Sequence, residues 1–435
     1  MTISITWPGG GSGRFRAAKT PSPGTAGSTP AAGHDSRFAA LNGIPEVDFP
    51  SNLQAAVAAG RRMASILREV VELRIGQGKL TPNEYFVFRL WEPRFNPGEK
   101  RRFVGKQAQH PMHIACNDTG WYAAAADKLL FHTLMTGAGL PTPELLAITQ
   151  PARRAGGAQT LTGPDAVAAF LRNPANYPLF AKPIDGKYSL SVVSADGFDA
   201  AADRIRLQGA DIPGALPGDQ SAAPGAAPVN GRPSPAALAE TLAAREAGYL
   251  LQRRLSPHPA IAGQFGPRLW SVRLLVLVTP AGPLIHSAVA KIATGTNPAD
   301  NFWRAGNMLG AIGLATGRVD RVVQGTGVGM AVNGGHPDTG RPIVGTAIPD
   351  WAALVALAKE ASRLLPGIRT QSWDIAVSDA GPVPLEVNFG GDLNLAQLAH
   401  GAGVLDHRYA EHLQSCGYRI RPRIRLPGRN GEVND

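Results

Sequence analysis

The sequence predicts an α+β fold. Helix-period and strand-period segments follow one another without the regular βαβ alternation that builds a doubly wound sheet. The second half carries long strand patterns joined by short Gly-containing turns, Trp270 to Ile292 and Trp373 to Asn388. The 435 residues are 44% hydrophobic and only 17% charged, enough apolar material for a sizeable core divided among two or three domains.

The elements follow in order. Residues 1–45 are rich in Gly, Pro, Ser, Thr and Ala and read as a disordered tail. Ser51 can cap a helix whose apolar stripe is Leu53, Val57, Met63, Ile66, Leu67, Val70 and Val71. A second helical stretch runs from about Pro82 to Trp91, and a third opens at Asp127-Lys128 and ends near Gly137-Ala138-Gly139. Leu145 to Ile148 reads as a strand, Asp165 to Leu171 as a helix and Pro178 to Pro183 as a short buried strand. Residues 209–235 are rich in Ala, Pro and Gly and read as a long surface insertion, because strand patterns resume on both sides. Pro235 to Ala247 reads as a helix, Tyr249 to Leu255, Trp270 to Val278 and Leu284 to Ile292 as strands, and Trp351 to Leu365 as a helix. Arg419 to Arg425 alternates Arg with Ile and Pro, as a basic edge strand or a tail would.

Composition narrows the function classes. A net charge of +10 suits an anionic ligand such as a nucleotide, and equally a basic surface with no specific partner. The only cysteines, Cys116 and Cys416, are isolated in sequence, so neither a disulfide framework nor a metal cluster is expected, and the default compartment is the reducing cytoplasm. No apolar run approaches the roughly 20 residues of a membrane span, and the N-terminal stretch lacks the apolar core of a secretory signal. There is no Walker loop, no zinc spacing and no Ser-His-Asp order; His258 stands alone between prolines.

The ribbon from Trp373 to Asn388 carries the sharpest pattern. If Asp379-Ala380-Gly381 is a three-residue loop with Gly381 left-handed, Val377 faces Val383, Ile375 faces Leu385 and Trp373 faces Val387 on an apolar face. The other face then holds Asp374 opposite Glu386, with Asn388 two residues on. Two carboxylates side by side repel, so a shared proton, a nearby Lys or Arg, or a cation must offset them. Oxygen-only ligands suit a hard cation completed by phosphate oxygens. The same face also reads as an ordinary solvated surface.

Basic residues stand in apolar strands. Lys182 ends Leu179-Phe180-Ala181-Lys182-Pro183, before Asp185-Gly186 and a polar loop through Lys187, Tyr188, Ser189 and Ser191. An ammonium beside loop N–H groups can hold phosphate, or the lysine can snorkel to the surface. Arg273 lies within the apolar run Trp270 to Val278 and needs a partner, a phosphate or a carboxylate. If Pro280-Ala281-Gly282 is a three-residue loop, Ser271 faces Lys291, and Arg273 and Lys291 share a face. Asn301, Arg304 and Asn307 lie in one polar loop that can meet substrate or phosphate, or that is an ordinary polar loop with no such role.

Taken in order, Asp127-Lys128, Phe180-Ala181-Lys182-Pro183, Tyr249-Leu250-Leu251-Gln252, Val272-Arg273, Asp374 and Leu385-Glu386-Val387-Asn388 resemble the ATP-grasp superfamily, in particular the sugar-transfer-associated proteins related to α-L-glutamate ligases. The resemblance covers about Tyr85 to Asp406. It implies two α+β lobes that hold ATP between them, preceded by a helical N-terminal region and the tail. The expected division is a tail 1–45, a helical region 46–125, a first lobe 126–265 with the 209–235 insertion, a second lobe 266–410 with the magnesium site, and a basic tail 411–435. By similarity Lys128 and Lys182 contact phosphates, Gly186 and Ser189 belong to the phosphate loop, and Leu251 and Gln252 line the adenine pocket through backbone groups. Arg273, with Lys291 and Asn307, serves the reacting phosphate and substrate, and Asp374, Glu386 and Asn388 bind Mg2+ or Mn2+. The loop after Lys182 has one glycine, Gly186, where many relatives have several.

The implied activity is ATP-dependent ligation: a carboxylate is activated as an acyl-phosphate and attacked by an amine or other nucleophile, in polysaccharide or peptide-conjugate synthesis. An ATP-binding module or a phosphotransferase is the alternative. Expected partners are nucleotide and small-molecule carboxylate and amine substrates, with no nucleic acid.

Overall fold

The computed structural model describes residues 44–186, 189–210 and 232–420. The expected tail up to residue 43, loop residues Lys187 and Tyr188, most of the 209–235 insertion and residues 421–435 lie outside the described residues.

Seven helices come first: α1 (Phe49–Ala58), α2 (Met63–Ile75), α3 (Pro82–Val87), α4 (Pro97–Lys100), α5 (Lys106–Cys116), α6 (Ala123–Ala126) and α7 (Lys128–Gly137). The expected continuous helix from Ser51 is broken at Gly60, whose φ of 82° is left-handed, and the helix from Pro82 stops before Arg89, also left-handed at φ 54°. The apolar stripe is corrected as well. Ile66 is buried, but Val57, Met63, Leu67 and Val71 are each 45–55% exposed. Helical spacing identified one face correctly as apolar without deciding which side of the helix meets the protein.

The first sheet follows, with β1 (Leu145–Ile148), β2 (Gln159–Thr160), α8 (Gly163–Arg172), β3 (Leu179–Pro183), β4 (Val193–Asp199), β5 (Arg204–Ala210), α9 (Pro235–Ala243) and β6 (Tyr249–Arg253). Its strand order is β2-β1-β6-β3-β4-β5. Helices α8 and α9 cover one side, burying Val167, Leu171, Leu238 and Leu242 against Leu179, Ala181 and Leu251.

The second sheet is built from α10 (Pro259–Phe265), β7 (Ser271–Thr279), β8 (Gly282–Ile292), β9 (Met308–Ile312), β10 (Val319–Gln324), β11 (Ala331–Val332), α11 (Trp351–Ser362), β12 (Thr370–Ser378), β13 (Gly381–Phe389), α12 (Leu393–His400) and α13 (His407–Ser415). Its order is β11-β10-β9-β8-β7-β12-β13. Trp373, Ile375 and Val377 pack with α11 residues Leu354 and Ala358 on one side. Val289, Leu309 and Val323 pack with Phe86, Leu90 and α12 residue Leu398 in a second cluster, so the N-terminal helices share a core with this sheet. The mixed architecture of two sheets and thirteen α-helices among the described residues is the α+β fold that the sequence predicts. Helix α13 runs across the expected 410/411 boundary.

Both long hairpins close one residue tighter than expected and then recover. Ser378 pairs with Gly381, Val377 with Pro382 and Ile375 with Pro384, not with the partners that a three-residue loop requires. A bulge at Leu385 then adds one residue, so Asp374 faces Glu386 and Trp373 faces Val387. In β7–β8, Thr279 pairs with Gly282, a shift near Leu275 and Val276 leaves His286 as the extra residue, and Ser271 faces Lys291. Alternation of apolar and polar positions sets the register far from the turn, and each bulge absorbs the mismatch. Leu385, expected on the core face, is only half-buried as a result.

The two cysteines also need correction. Cys116, at the end of α5, and Cys416, capping α13, lie beside His412, with the sulfur and nitrogen atoms all within 4.8 Å of one another. The fold joins what the sequence holds apart.

Candidate functional site

Strand β12 lies between β7 and β13, which puts Asp374 beside Arg273 on one side and Glu386 on the other. Asp374 is 1% exposed. Its carboxylate accepts from Arg273 Nε and Nη2, both at 2.6 Å, and from Lys291 Nζ at 3.0 Å. Lys291 bridges onward to Asp300 at 3.0 Å, and Ser271 donates its hydroxyl to the same Asp300. Burial opposes ionisation of Asp374, but the charges and hydrogen bonds of Arg273 and Lys291 outweigh it and hold the carboxyl well below the usual carboxylate range. Burial likewise works against Lys291, and Asp300 and Asp374 together raise it. Of the three ways to offset two adjacent carboxylates, the chain itself supplies Arg and Lys to Asp374. Glu386 stays half-buried, its nearest cation among the described residues being Lys128 at 3.9 Å.

The first sheet and α7 bring two lysines to this carboxylate. Asp127 caps α7, accepting from the N–H groups of Leu129 at 2.9 Å and Leu130 at 2.8 Å, which sets Lys128 as the first helical residue. Lys128 donates to the Gly186 carbonyl. Lys182, 9% exposed at the end of β3, donates to the Leu385 carbonyl at 3.3 Å. Leu385 is the extra residue of the bulge in β13, and among the described residues no carboxylate lies within ion-pair distance of Lys182. Burial, then the charge of Lys128, pulls the Lys182 ammonium down to about 8, with Glu386 opposing.

These groups line a cleft of about 1090 Å³, its open mouth included. Lys128, Phe180, Lys182, Gly186, Ser189 and Gln252 enter it from the first half, and Lys291, Asp300, Asp374, Leu385 and Glu386 from the second. Arg253, Arg254 and Arg268 line it too. Arg253 and Arg254 are paired with Glu144 at 3.2 Å and Asp196 at 2.7 Å. Arg268 donates to the Asn297 carbonyl at 3.2 Å. The cleft therefore offers Lys128, Lys182 and Arg268 to an anion with little carboxylate competition, beside phenyl and aliphatic surface from Phe180, Leu190, Val192 and Leu255.

Not every residue singled out in the sequence reaches the cleft. Leu251 is fully buried in the first-sheet core, paired on both sides, and Gln252 to Leu255 line the cleft in its place. Asn307 is 1% exposed and committed to its own loop. Its oxygen accepts from Thr294 N at 3.1 Å and Asn297 Nδ2 at 2.8 Å, and its nitrogen donates to the carbonyls of Ala299 at 2.9 Å and Asn301 at 2.7 Å. It positions the loop that carries Asp300. Arg304 donates to the carbonyl of Ser189 at 2.6 Å, tying that loop to the one after Lys182. Arg273 acts on Asp374 and does not line the cleft. Asp300 and the three arginines were missed by sequence reasoning; the one signal for Asp300 was that a lysine in a buried strand, Lys291, requires a carboxylate.

As a donor set, Glu386 contributes two carboxylate oxygens and Asp374 the lone pairs its three donors leave. The amide nitrogen of Asn388 is buried without a partner. With the amide turned over, an acceptor oxygen takes that position. All of these are hard oxygen donors, the type that suits magnesium. Asp392, just beyond the strand, caps α12 through Asn394 N at 3.2 Å and pairs with Lys106 at 2.9 Å.

This geometry defines a class: two α+β lobes, each with its own sheet, that meet at lysines from one and carboxylates from the other, which is the ATP-grasp fold. Within that class, residues 237–414 match the model of the sugar-transfer associated ATP-grasp family. Similar solved structures include a biotin carboxylase from Campylobacter jejuni in a β,γ-ATP complex (9% identity, 74% of this chain and 55% of that one, TM-score 0.39). An L-amino acid ligase from Bacillus licheniformis is 13% identical over 69% of this chain and 52% of that one (TM-score 0.33). An N5-carboxyaminoimidazole synthase from Aspergillus clavatus, solved with ADP and 5-aminoimidazole ribonucleotide, is 10% identical over 74% of this chain and 60% of that one (TM-score 0.35). The chain thus spans a little over half the length of these structures. No curated protein matches it. No helix among the described residues is long and apolar enough to cross a membrane.

Proposed function

We propose that the chain is an ATP- and magnesium-dependent ligase that activates a carboxylate as an acyl-phosphate for attack by an amine or another nucleophile. One observation carries the reading: Lys128 and Lys182 of the first half meet the uncommitted carboxylate Glu386 of the second half in one cleft. Polyphosphate between them satisfies both lysines. Glu386, Asn388 and the remaining lone pairs of Asp374 would hold the Mg2+ (or Mn2+) that travels with it, and the ion when bound supplies charge neutralisation to the phosphates.

The remaining work falls to the chain's own residues. Lys128 and Lys182 bind and orient the phosphates. Gln252 and the strand beyond it, with Phe180 and Leu190, hold the base against apolar surface. Arg273 and Lys291 fix Asp374, so the acidic edge of the site is rigid before substrate arrives. The substrate carboxylate oxygen attacks the γ-phosphorus, and the bond to ADP breaks. The nucleophile then attacks the acyl carbon, and phosphate leaves as the nucleophile loses its proton. No side chain need become covalently attached. The cationic lining of the cleft suits the two anionic reactants.

The test is a coupled ADP-release screen across carboxylate and amine pools with magnesium present. ADP release that requires both a carboxylate and an amine supports ligation. A phosphorylated hydroxyl product supports the phosphotransferase alternative, and nucleotide binding without turnover in any pool supports a binding module.

A further inference from the structure

Away from the cleft, farther along the face of the second sheet that carries Asp374, three soft-metal donors converge. Cys116 closes α5, and His412 and Cys416 stand four residues apart on one face of α13 and its cap. Cys116 and His412 are each 3% exposed, and Cys416 is partly exposed. Both thiols are free. Cys416 Sγ lies 3.7 Å from His412 Nε2, and the three donor atoms all fall within 4.8 Å. A tetrahedral zinc with about 2.3 Å to sulfur and about 2.1 Å to nitrogen separates its sulfur and nitrogen ligands by about 3.6 Å. The spacing therefore needs little adjustment to close on an ion.

The imidazole is also aimed. Its Nε2 faces Cys416 and the Thr370 hydroxyl at 3.0 Å, whereas Nδ1 is buried without a partner, so whatever fixes the ring acts on the Nε2 side. Apolar side chains Leu275, Leu277, Met112 and Leu413 pack about the cluster, and the Thr370 hydroxyl is the oxygen group beside it. Two thiolates and an imidazole select zinc-like ions over magnesium.

We propose that Cys116, His412 and Cys416 form a structural site for a thiophilic divalent ion of the zinc type, with solvent at the fourth position beside Cys416. The ion pins α13 and α5 together.

The test uses the full chain, freed of metal with a chelator under a phosphine reductant and titrated with cobalt in excess magnesium. The expected result is one cobalt per chain, with thiolate charge-transfer absorption in the near ultraviolet and tetrahedral bands in the visible, both displaced by zinc. Cys416→Ser, at a partly exposed position, leaves one thiolate and lowers the charge-transfer intensity; Glu386→Gln keeps it, which separates this site from the nucleotide cleft. A wild-type chain that shows neither band, or bands undiminished in both Cys416→Ser and His412→Asn, overturns the proposal.

Discussion

Replacing Asp374 with Asn tests how the acidic edge of the cleft is held. The carboxylate is 2% exposed and receives three hydrogen bonds from two cations whose own side chains are 14% and 7% exposed. The amide keeps one acceptor and turns an N–H toward Arg273 and Lys291. Lys291 retains Asp300 at 3.0 Å, so the uncompensated charge is chiefly that of Arg273. Removing one partner of a buried pair costs about 3–5 kcal/mol, because the other charge stays buried. Glu386→Gln is the matched control: it sits opposite on the same hairpin, half-buried, with Lys128 at 3.9 Å as its one ion pair among the described residues, and should change stability by no more than about 0.5 kcal/mol. Urea unfolding followed by circular dichroism compares the two. Combining Arg273→Met with Asp374→Leu should recover most of the loss, since no charge is then left unpaired. An Asp374→Asn variant within about 0.5 kcal/mol of wild type would refute the reasoning.

Two further outcomes follow from the same geometry. Asn307→Ala removes four hydrogen bonds from a buried loop and should destabilise the chain by about 2–4 kcal/mol in the same unfolding assay, with the loop carrying Asp300 the first segment to exchange amide hydrogens. Burial and Lys128 depress Lys182 to about 8, so its charge is present below that pH and lost as pH rises through it. Nucleotide affinity, measured by calorimetry from pH 6.5 to 9.5, should fall above about pH 8, and Lys182→Arg, which stays charged, should flatten the fall.

Much of this was legible in the sequence, for identifiable reasons. Apolar alternation from Trp373 to Val377 and from Val383 to Val387 marks a half-buried hairpin, and the far register that sets Asp374 opposite Glu386 follows from keeping one face apolar. The turn itself was misread, because a tight turn followed by a bulge at Leu385 and a looser turn without one leave the same residues paired farther along. Asp127-Lys128 was legible as a helix start because Asp is a good cap. Side-chain commitments in loops were not: Asn307 looked like a free polar group because hydrogen bonds to Ala299 and Asn301 carbonyls leave no periodic trace. Helix α2 shows the limit of periodicity, since Met63, Leu67 and Val71 recur every four residues and yet face outward. Cys116 and Cys416 were unreadable as a pair because only the packing of α5 against α13 unites them.

The central claim is that Glu386 joins the lysines of the first half around a magnesium-bound polyphosphate. Its most direct test is calorimetric: ATP affinity with and without magnesium, in wild type and in Glu386→Gln. Magnesium should tighten ATP binding to the wild-type chain, and the variant should bind free ATP as well as before while losing that gain. An equal gain from magnesium in both proteins would contradict the account.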